Sequence, residues 1–265
     1  MLFFISEDLS NSIVLADERL KLGTTTSVEN SGLLDVIIPP FEKKNKIKIS
    51  VIAGGSGQAL KLGESGDVDI IISHAPELEK EFIKKGFGIK RKIFMKNDFV
   101  IVGPSNDRAD VKRAKNAVEA FKKILLNKSN FISRGDKSGT HMKEISIWKK
   151  LRISKPYGSW YQEAGRGMGE TLIISNEKNA YTITDRGTYL ALKNKISLQI
   201  LFEGDASLDN LYSVITVNPK KFKYVKYEIS CKFIDWLISN ECQKTIANFK
   251  DKNGNQLFVP LFFKK

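Results

Sequence analysis

The chain has 265 residues, of which 42% are hydrophobic, so it can form one large domain or two smaller ones with complete cores. Its formal net charge is +13, but the lysines are scattered and no basic face is interleaved with aromatic residues. We therefore expect a solvated lysine-rich surface and no nucleic-acid partner. The two histidines and two cysteines form no cluster of zinc-ligand spacing, so no metal cofactor is expected.

Residues 1–16 form an ambiguous lead-in. Their apolar start is interrupted by Glu7 and Asp8, and no basic segment precedes it. Val14-Leu15-Ala16 would nevertheless suit a signal-peptidase site. A degenerate export signal, a wrongly chosen start and a disordered lead-in all remain open. No later stretch has the length and apolar character of a membrane span.

After the lead-in, strand and helix patterns alternate, which predicts an α/β chain with mostly parallel sheets. The first helix pattern, 33–38, should end at Pro39-Pro40. Cys231 and Cys242 fall in one long helix pattern, where they would lie about 16 Å apart, too far for a disulfide. Strands are predicted at 19–23, 46–53, 67–73, 99–104, 130–132, 180–185, 198–202 and 211–217. Helices are predicted at 33–38, 58–62, 77–85, 117–125, 142–151, 170–175, 189–193 and 227–249.

Three polar turns share one placement, since each follows a strand pattern and precedes a helix pattern. In parallel sheets such turns gather at the carboxyl ends of the strands, where ligands bind. Their hydroxyls, free N–H groups and helix-dipole ends suit an anion, and Arg134 adds a guanidinium that Asp136 can hold in position. Ordinary strand-to-helix turns with a local Arg–Asp pair, and a Thr-rich edge strand at the first turn, remain open alternatives. The turns are Thr24-Thr25-Thr26-Ser27, Gly54-Gly55-Ser56-Gly57 and Ser133-Arg134-Gly135-Asp136-Lys137-Ser138-Gly139-Thr140.

These motifs occur in an order that is found in a known family. They read TTTSVENSGLL, AGGSGQALKLGESGDVDIIISHAP, NDFVIVGP, SRGDKSGT, SWYQEAGRGMGETL, YTITDRGTY and LYSVITVNP. The set resembles the tungstate-binding proteins (TupA type) of bacterial tungstate ABC uptake systems, over nearly the whole chain after about Leu20. The combination of TTTS, SRGDKSGT and TDRGT carries the resemblance, because each motif alone is unspecific.

The resemblance implies a type II periplasmic binding protein. This α/β fold has two lobes with mixed, mostly parallel sheets, two crossover strands and a ligand cleft between the lobes. The crossovers are expected near Val102–Ser105 and Glu203–Asp209. The expected division is a lead-in at 1–16, lobe I at 17–102 and 209–265, and lobe II at 103–208.

The family's pattern also implies the ligand-binding residues. The first expected contacts of the oxyanion are Thr25, Ser56, Arg134 and Thr140. A second rank of hydroxyl or N–H donors comprises Thr24, Thr26, Ser27, Ser138 and Gly139. No cofactor and no direct protein–metal ligand are implied, because the metal arrives as an oxyanion.

Other positions carry weaker expectations. Gly167 and Met168 are expected to line the far side of the cleft. His74 stands where phosphate binders can have a ligand carboxylate, although we favour a capping or surface histidine. Asp185-Arg186 is expected to form a structural ion pair near the hinge. Arg166 replaces the uncharged residue that the family pattern favours, which could alter access to the cleft.

The function implied is capture of tungstate, or molybdate, outside the cytoplasm for delivery to the permease and ATPase of an ABC importer. A monomer with an atypical export signal is expected. A phosphate or sulfate receptor of the same fold is the first alternative. An enzyme acting on phosphoryl groups is the second, but the site lacks a nucleophile–base pair or a metal-binding carboxylate cluster. Binding without chemistry is therefore the simpler interpretation.

Overall fold

The structure is a computed structural model that describes residues 19–250 and 254–262, so the expectations for the lead-in 1–16 lie outside the described residues. The described strands are β1 Arg19–Thr25, β2 Lys48–Gly54, β3 Ile70–Ser73, β4 Gly88–Gly103, β5 Phe131–Ser133, β6 Tyr161–Glu163, β7 Thr182–Asp185, β8 Gln199–Phe202, β9 Asp209–Val217 and β10 Val259–Pro260. The described α-helices are α1 Thr26–Asn30, α2 Leu34–Asn45, α3 Ser56–Ser65, α4 Pro76–Lys84, α5 Ala117–Leu126, α6 Gly139–Lys150, α7 Met168–Glu177, α8 Arg186–Leu192, α9 Tyr227–Leu237 and α10 Asn240–Asn248. Short 3₁₀ turns occur at Val111–Arg113, Lys193–Lys195 and Ala206–Leu208.

The long strand β4 connects two sheets. Its first part, 88–98, pairs with β9 in a sheet of order β10-β4-β9-β3-β1-β2. Its last part, 99–103, pairs with β7 and β8 instead. The exchange of partners falls between Asp98 and Phe99, so one continuous strand carries the chain from the first sheet to the second.

Separate clusters of core residues lie on the two faces of each sheet. Helices α2, α9 and α10 cover one face of the first sheet, and Phe41, Phe94 and Phe233 are buried there. Around the second sheet, Phe99 and Ile101 pack on one side, whereas Val100 and Val102 pack on the other. This alternation is the two-residue period of a strand that is buried on both faces. The α/β, two-lobed fold class is confirmed.

The share of parallel pairing is smaller than expected. Parallel ladders join β1 to β2, β1 to β3 and β5 to β6. Strand β4 pairs antiparallel with β7, β8, β9 and β10. Strand β9 runs against β4 because β4 leads the chain out of the first lobe and β9 leads it back.

Two helix predictions were wrong, and the first of them concerns the end of a helix. Helix α2 continues through Pro39 and Pro40 to Asn45. Pro39 and Pro40 lack the N–H groups that would donate to the carbonyls of Asp35 and Val36. All four residues are exposed, so water can hydrogen-bond to these two carbonyls instead. The opposite face of this helix is buried in the core, and its packing keeps the helix continuous.

The predicted helix 227–249 is in fact two helices. The Oγ of Ser239 accepts a hydrogen bond from the N–H of Cys242 and so caps the start of α10. Cys231 and Cys242 therefore lie on different helices, and both are free thiols. No helix in the described ranges has both the length and the apolar character needed to cross a bilayer.

A buried carboxylate ties α4 to both long strands. Glu79 is fully buried and accepts hydrogen bonds from the N–H of Ala75 and from the Arg91 guanidinium, at 2.9 Å from Nε and 2.7 Å from the terminal nitrogen. The hydroxyl of Ser213 donates to the same carboxylate. These contacts fix the turn that follows β3, where His74 lies.

Replacement of Arg91 by alanine should therefore lower the free energy of unfolding by about 3–5 kcal/mol, because it leaves an uncompensated buried carboxylate. Urea denaturation measures the loss. The control is Lys80→Ala on α4, the helix of Glu79, which removes an exposed pair with Glu77 and should cost less than about 1 kcal/mol. Equal losses in the two variants would contradict this role for Arg91.

Candidate functional site

A small cavity lies where the two lobes meet. Its volume is about 100 Å³, far below the roughly 300–1,000 Å³ of pockets that bind drug-sized ligands. The cavity therefore suits an ion or a molecule of a few heavy atoms. Its lining from the first lobe comprises Thr25, Thr26, Ser27, Gly54, Gly55, Ser56, His74, Asn210 and Tyr212, and its lining from the second comprises Phe99, Arg134, Ser138, Gly139, Thr140 and Asp185.

Four helices begin at the cavity wall. Their N-cap residues are Thr25 for α1, Gly55 for α3, Ser138 for α6 and Asp185 for α8. The first N–H groups of a helix lack intrahelical partners, and the aligned peptide dipoles place about half a positive charge there. Two of these helices belong to each lobe. Helices α3 and α6, one in each lobe, are long enough to present a positive end to the cavity, whereas the carboxylate of Asp185 occupies the start of α8.

The loop 133–140 holds Arg134 in position. Its Nε lies 2.8 Å from Oδ2 of Asp136, in an ion pair that is too bent for a well-aligned hydrogen bond. The other oxygen of Asp136 accepts the N–H of Ser138 at 3.0 Å. Asp136 is thus paired with Arg134, as expected. The remaining guanidinium nitrogens have no hydrogen-bond acceptor among the described residues, so they can bind an anion.

The backbone conformation and close packing at position 135 require a glycine in this loop. Its φ of +66° lies in the left-handed region, and a Cβ built there would lie 2.7 Å from Cβ of Glu163. Any side chain at this position would push the loop away from β6. Gly139 makes an equally close approach across the cleft, because a Cβ there would lie 2.8 Å from Cε1 of His74. The backbone at Gly139 of the second lobe is therefore in close contact with the His74 ring of the first lobe.

The predicted ligand residues converge, with one exception. Thr25, Thr26, Ser27, Ser56, Arg134, Ser138, Gly139 and Thr140 all line the cavity. Thr24 does not: it is fully buried behind the wall. The hydroxyl oxygens of Thr25 and Ser27 lie 3.0 Å apart. The Oγ of Ser138 accepts the N–H of His141, which leaves its own proton available for a ligand.

The expectations for the far side of the cleft were wrong. Gly167 is the N-cap of α7 and does not line the cavity. Met168 is buried in the core beside Val100 and Val102, because it follows the cap on the inner face of the helix. Arg166 is exposed and lies outside the cavity lining.

The prediction of a capping or surface role for His74 was also wrong. The ring lines the cavity and stacks on Tyr212, with 4.8 Å between centroids and 28° between planes. Its Nδ1 lies 3.0 Å from Oδ1 of Asn210. His74 follows β3 directly, so the rule that ligands gather at the carboxyl ends of strands could have indicated this placement. Tyr212 lies inside the predicted strand 211–217 and Asn210 lies immediately before it, and neither position carries a signal of a site.

The residues of the pair Asp185-Arg186 have separate roles. Asp185 caps α8, accepting the N–H of Thr188 at 2.8 Å and its hydroxyl at 2.7 Å, and it lines the cavity. Arg186 instead donates to Asp98 at 2.7 and 2.5 Å and to Glu203 at 2.5 Å. Arg186 does form a structural ion pair near the crossovers, but its partner is not Asp185. The cavity therefore contains a carboxylate that the sequence analysis did not place there.

Within residues 19–250 and 254–262, no group of three or more His, Cys, Asp or Glu side chains could hold a metal ion. The donors at the cavity are instead hydroxyls, N–H groups and a guanidinium. Such a set hydrogen-bonds an anion on several sides.

The comparisons with known proteins agree with this geometry. Residues 16–241 match the PBP superfamily domain. The tungstate-binding protein TupA of Peptoclostridium acidaminophilum is 45% identical over 242 residues, which cover 90% of this chain and 84% of that protein. The chain belongs to the TupA family.

Solved structures of the family superpose on this chain. TupA of Desulfovibrio alaskensis G20 has a TM-score of 0.85 at 45% identity, covering 92% of this chain and 99% of that one. The tungstate ABC transporter structure from Geobacter sulfurreducens has a TM-score of 0.78 at 54% identity, covering 88% and 100%. The similarity therefore spans both lobes and the cleft.

A buried carboxyl group supports the second-lobe wall. Glu144 lies one turn after Thr140 in α6 and is fully buried. Its Oε1 accepts hydrogen bonds from Nε1 of Trp148 at 3.0 Å and from the hydroxyl of Tyr161 at 2.9 Å. Burial raises the pKa of Glu144 from 4.5 to about 7, although these hydrogen bonds partly oppose the change.

Glu144 should make stability depend on pH. Because its folded-state pKa is raised, its contribution is fully present below pH 4.5 and is lost as the pH rises through 7. The difference between the two pKa values corresponds to about 3 kcal/mol. Between pH 5 and pH 8 the unfolding free energy of the wild type should fall by about 2–3 kcal/mol relative to Glu144→Gln, which mimics the protonated acid. Urea denaturation of both proteins tests this, and parallel pH profiles would contradict it.

Proposed function

We propose that this protein is an extracytoplasmic solute-binding protein that captures tungstate, or molybdate, between its lobes for delivery to an ABC importer. One observation carries the proposal: a cavity of about 100 Å³ is lined from both lobes by hydroxyls, helix N-termini and one guanidinium. The tungstate-binding proteins of the family support the choice of ligand. Binding without catalysis and without a cofactor completes the proposal.

The donors are arranged for a tetrahedral dianion. We assign the direct contacts to Thr25 and Ser56 from the first lobe and to Arg134 and Thr140 from the second. Thr26, Ser27, Ser138 and Gly139 add hydroxyl or N–H donors around them, and Thr24 supports Thr25 from behind. The charge of Arg134 and the partial charges of the helix N-termini both stabilise the negative charge of the ligand.

We propose lobe boundaries that follow the cores. The first crossover lies between Asp98 and Phe99, because Phe99 already packs with the second core. We place the second at Glu203–Asp209. Lobe I then comprises 17–98 and 209–265, and lobe II comprises 99–208. The partners would be a membrane permease and its ATPase, with a monomeric receptor and no nucleic acid.

Phosphate is the second candidate, and Asp185 is the observation that favours it. A carboxylate in the wall can accept the proton of a protonated anion, whereas it repels a fully ionised one. Isothermal titration of the purified protein against tungstate, molybdate, phosphate and sulfate at pH 7 separates the two candidates. Tungstate and molybdate should bind far more tightly than the others. Tightest binding of phosphate would overturn the choice of ligand, and no binding of any oxyanion would overturn the receptor.

Arg134 should be the most sensitive side chain. Arg134→Lys keeps the charge but loses the planar fork, and a lost charge-assisted hydrogen bond of about 1.5–3 kcal/mol corresponds to about 10- to 150-fold weaker binding of tungstate. Arg134→Glu should abolish binding, because it adds a negative charge to the cavity. Calorimetry measures both variants, with circular dichroism as the folding control.

The matched control for Arg134 is Lys137→Asn in the same loop. It removes an exposed charge, and asparagine tolerates the φ of +60° at this position. Binding should change little, because exposed charges are screened by salt. Wild-type affinity in folded Arg134→Glu would show that the anion binds elsewhere.

Gly139→Ala tests the close approach of the lobes. The added Cβ would lie 2.8 Å from Cε1 of His74, so the cleft must open slightly when the residue is alanine. An overpacking cost of about 1–3 kcal/mol predicts about 5- to 150-fold weaker tungstate binding by calorimetry. Gly57→Ala is the control, because no atom lies within 4 Å of its added Cβ. Unchanged affinity in Gly139→Ala would show that ligand binding does not need this contact.

A further inference from the structure

The hydrogen bonds around His74 fix the positions of its ring protons. Its Nδ1 lies 3.0 Å from the amide oxygen of Asn210, which can only accept, so Nδ1 carries a hydrogen. The amide nitrogen of Asn210 donates to Oδ1 of Asn97 at 2.8 Å and to the hydroxyl oxygen of Tyr212 at 3.1 Å. The Asn97 amide in turn donates to Tyr212 at 3.3 Å. This network sets the orientation of the Asn210 amide and hence the tautomer of His74.

The second ring nitrogen of His74 is available to a ligand. Nε2 has no hydrogen-bond partner among the described residues, and the ring lines the cavity between Tyr212 and Gly139. In the fixed neutral tautomer Nε2 is an acceptor, which cannot donate to an oxyanion. Once Nε2 takes up a proton, it becomes a charged donor on a ring that lines the cavity. The ring therefore repels an anion when Nε2 is unprotonated and attracts it when Nε2 is protonated.

Charged groups face His74 from several elements. Asp185 at the start of α8 and Glu79 on α4 favour the protonated ring, whereas Arg134 from the loop 133–140 disfavours it. Tyr212 on β9 is neutral, because burial raises the pKa of its hydroxyl. Burial has the largest effect and lowers the pKa of His74 below its ordinary 6.5. Without a ligand, the ring is therefore neutral at pH 7.

We propose that His74 is a specificity-determining residue that takes up a proton from solvent when the dianion enters and then donates Nε2–H to an anion oxygen. The inference rests on the proposed function of the cavity. It also accounts for Asp185, because an imidazolium compensates a carboxylate that would otherwise oppose a dianion. Neutral small molecules and protonated monoanions gain less from the imidazolium, so His74 favours fully ionised tetrahedral oxyanions.

Linkage gives the direction of the pH effect. A bound dianion stabilises the imidazolium, so the pKa of His74 is higher with ligand than without it. Affinity is greatest below the two pKa values and falls, by up to about tenfold per pH unit, as the pH rises between them. Tungstate should therefore bind more weakly at pH 8.5 than at pH 6.5.

The test is calorimetry of the wild type with sodium tungstate at pH 7 in HEPES and in Tris, which differ in ionisation enthalpy. Proton uptake makes the observed binding enthalpy depend on the buffer, and titrations at pH 6.5, 7.5 and 8.5 report the pH dependence of affinity. The wild type should take up a measurable fraction of one proton per tungstate. Absence of tungstate binding would refute the proposed function. Tight binding with no buffer dependence and constant affinity would refute only the role of His74.

The two histidines provide matched variants. His74→Gln places an amide near Nε2 that cannot be protonated, so it should bind tungstate more weakly and without proton uptake. His141→Asn changes the other histidine, which lies outside the cavity lining, and retains an acceptor for the N–H of Lys137. It should retain proton uptake. Uptake that persists in folded His74→Gln would assign the proton to another group, such as Asp185, and overturn the proposal.

Discussion

Compensation of a double negative charge in a small cavity between two lobes is the constraint on which the rest of this structure depends. An ion that leaves water loses several kcal/mol of hydration that the protein must replace with aligned donors. Arg134 supplies a full positive charge at the wall, and the N-termini of α3 and α6 supply partial charges beside it. Asp136 holds Arg134 without entering the cavity lining, so the guanidinium is directed at the ligand before the ligand arrives.

The crossovers determine whether donors from two lobes can meet on one ion. Arg186 joins Asp98 on β4 to Glu203, which follows β8 directly. Lys143 on α6 donates to the carbonyls of Ser207 and Asp209 at 2.8 and 2.9 Å, which ties the helix of the second-lobe wall to the returning chain. Polar contacts of this kind can adjust as the lobes move, because they do not depend on the interlocking of apolar side chains. Closure and its reversal, which delivery to an importer requires, are therefore compatible with the same contacts.

Much of the fold and most of the cavity wall could be predicted from the sequence. Hydroxyl- and glycine-rich turns after strands mark the residues that line the cleft, because helix entrances and backbone donors have strong local signatures. The prediction for Thr24 was wrong because the strand continues two residues further than predicted, to Thr25, and buries Thr24. Asn210 and Tyr212 were missed because they lie within a strand and reach the site only through sheet pairing. The continuation of α2 through Pro39 and Pro40 depends on tertiary packing, which local propensity does not report.

The most direct test of the central claim is the position of the metal atom in crystals grown with tungstate, located by anomalous diffraction at a tungsten absorption edge. The account predicts one strong peak inside the cavity, with the surrounding oxygens within hydrogen-bonding distance of Thr25, Ser56, Arg134 and Thr140. A fully occupied tungsten site elsewhere on the molecule, with no peak in the cavity, would contradict it.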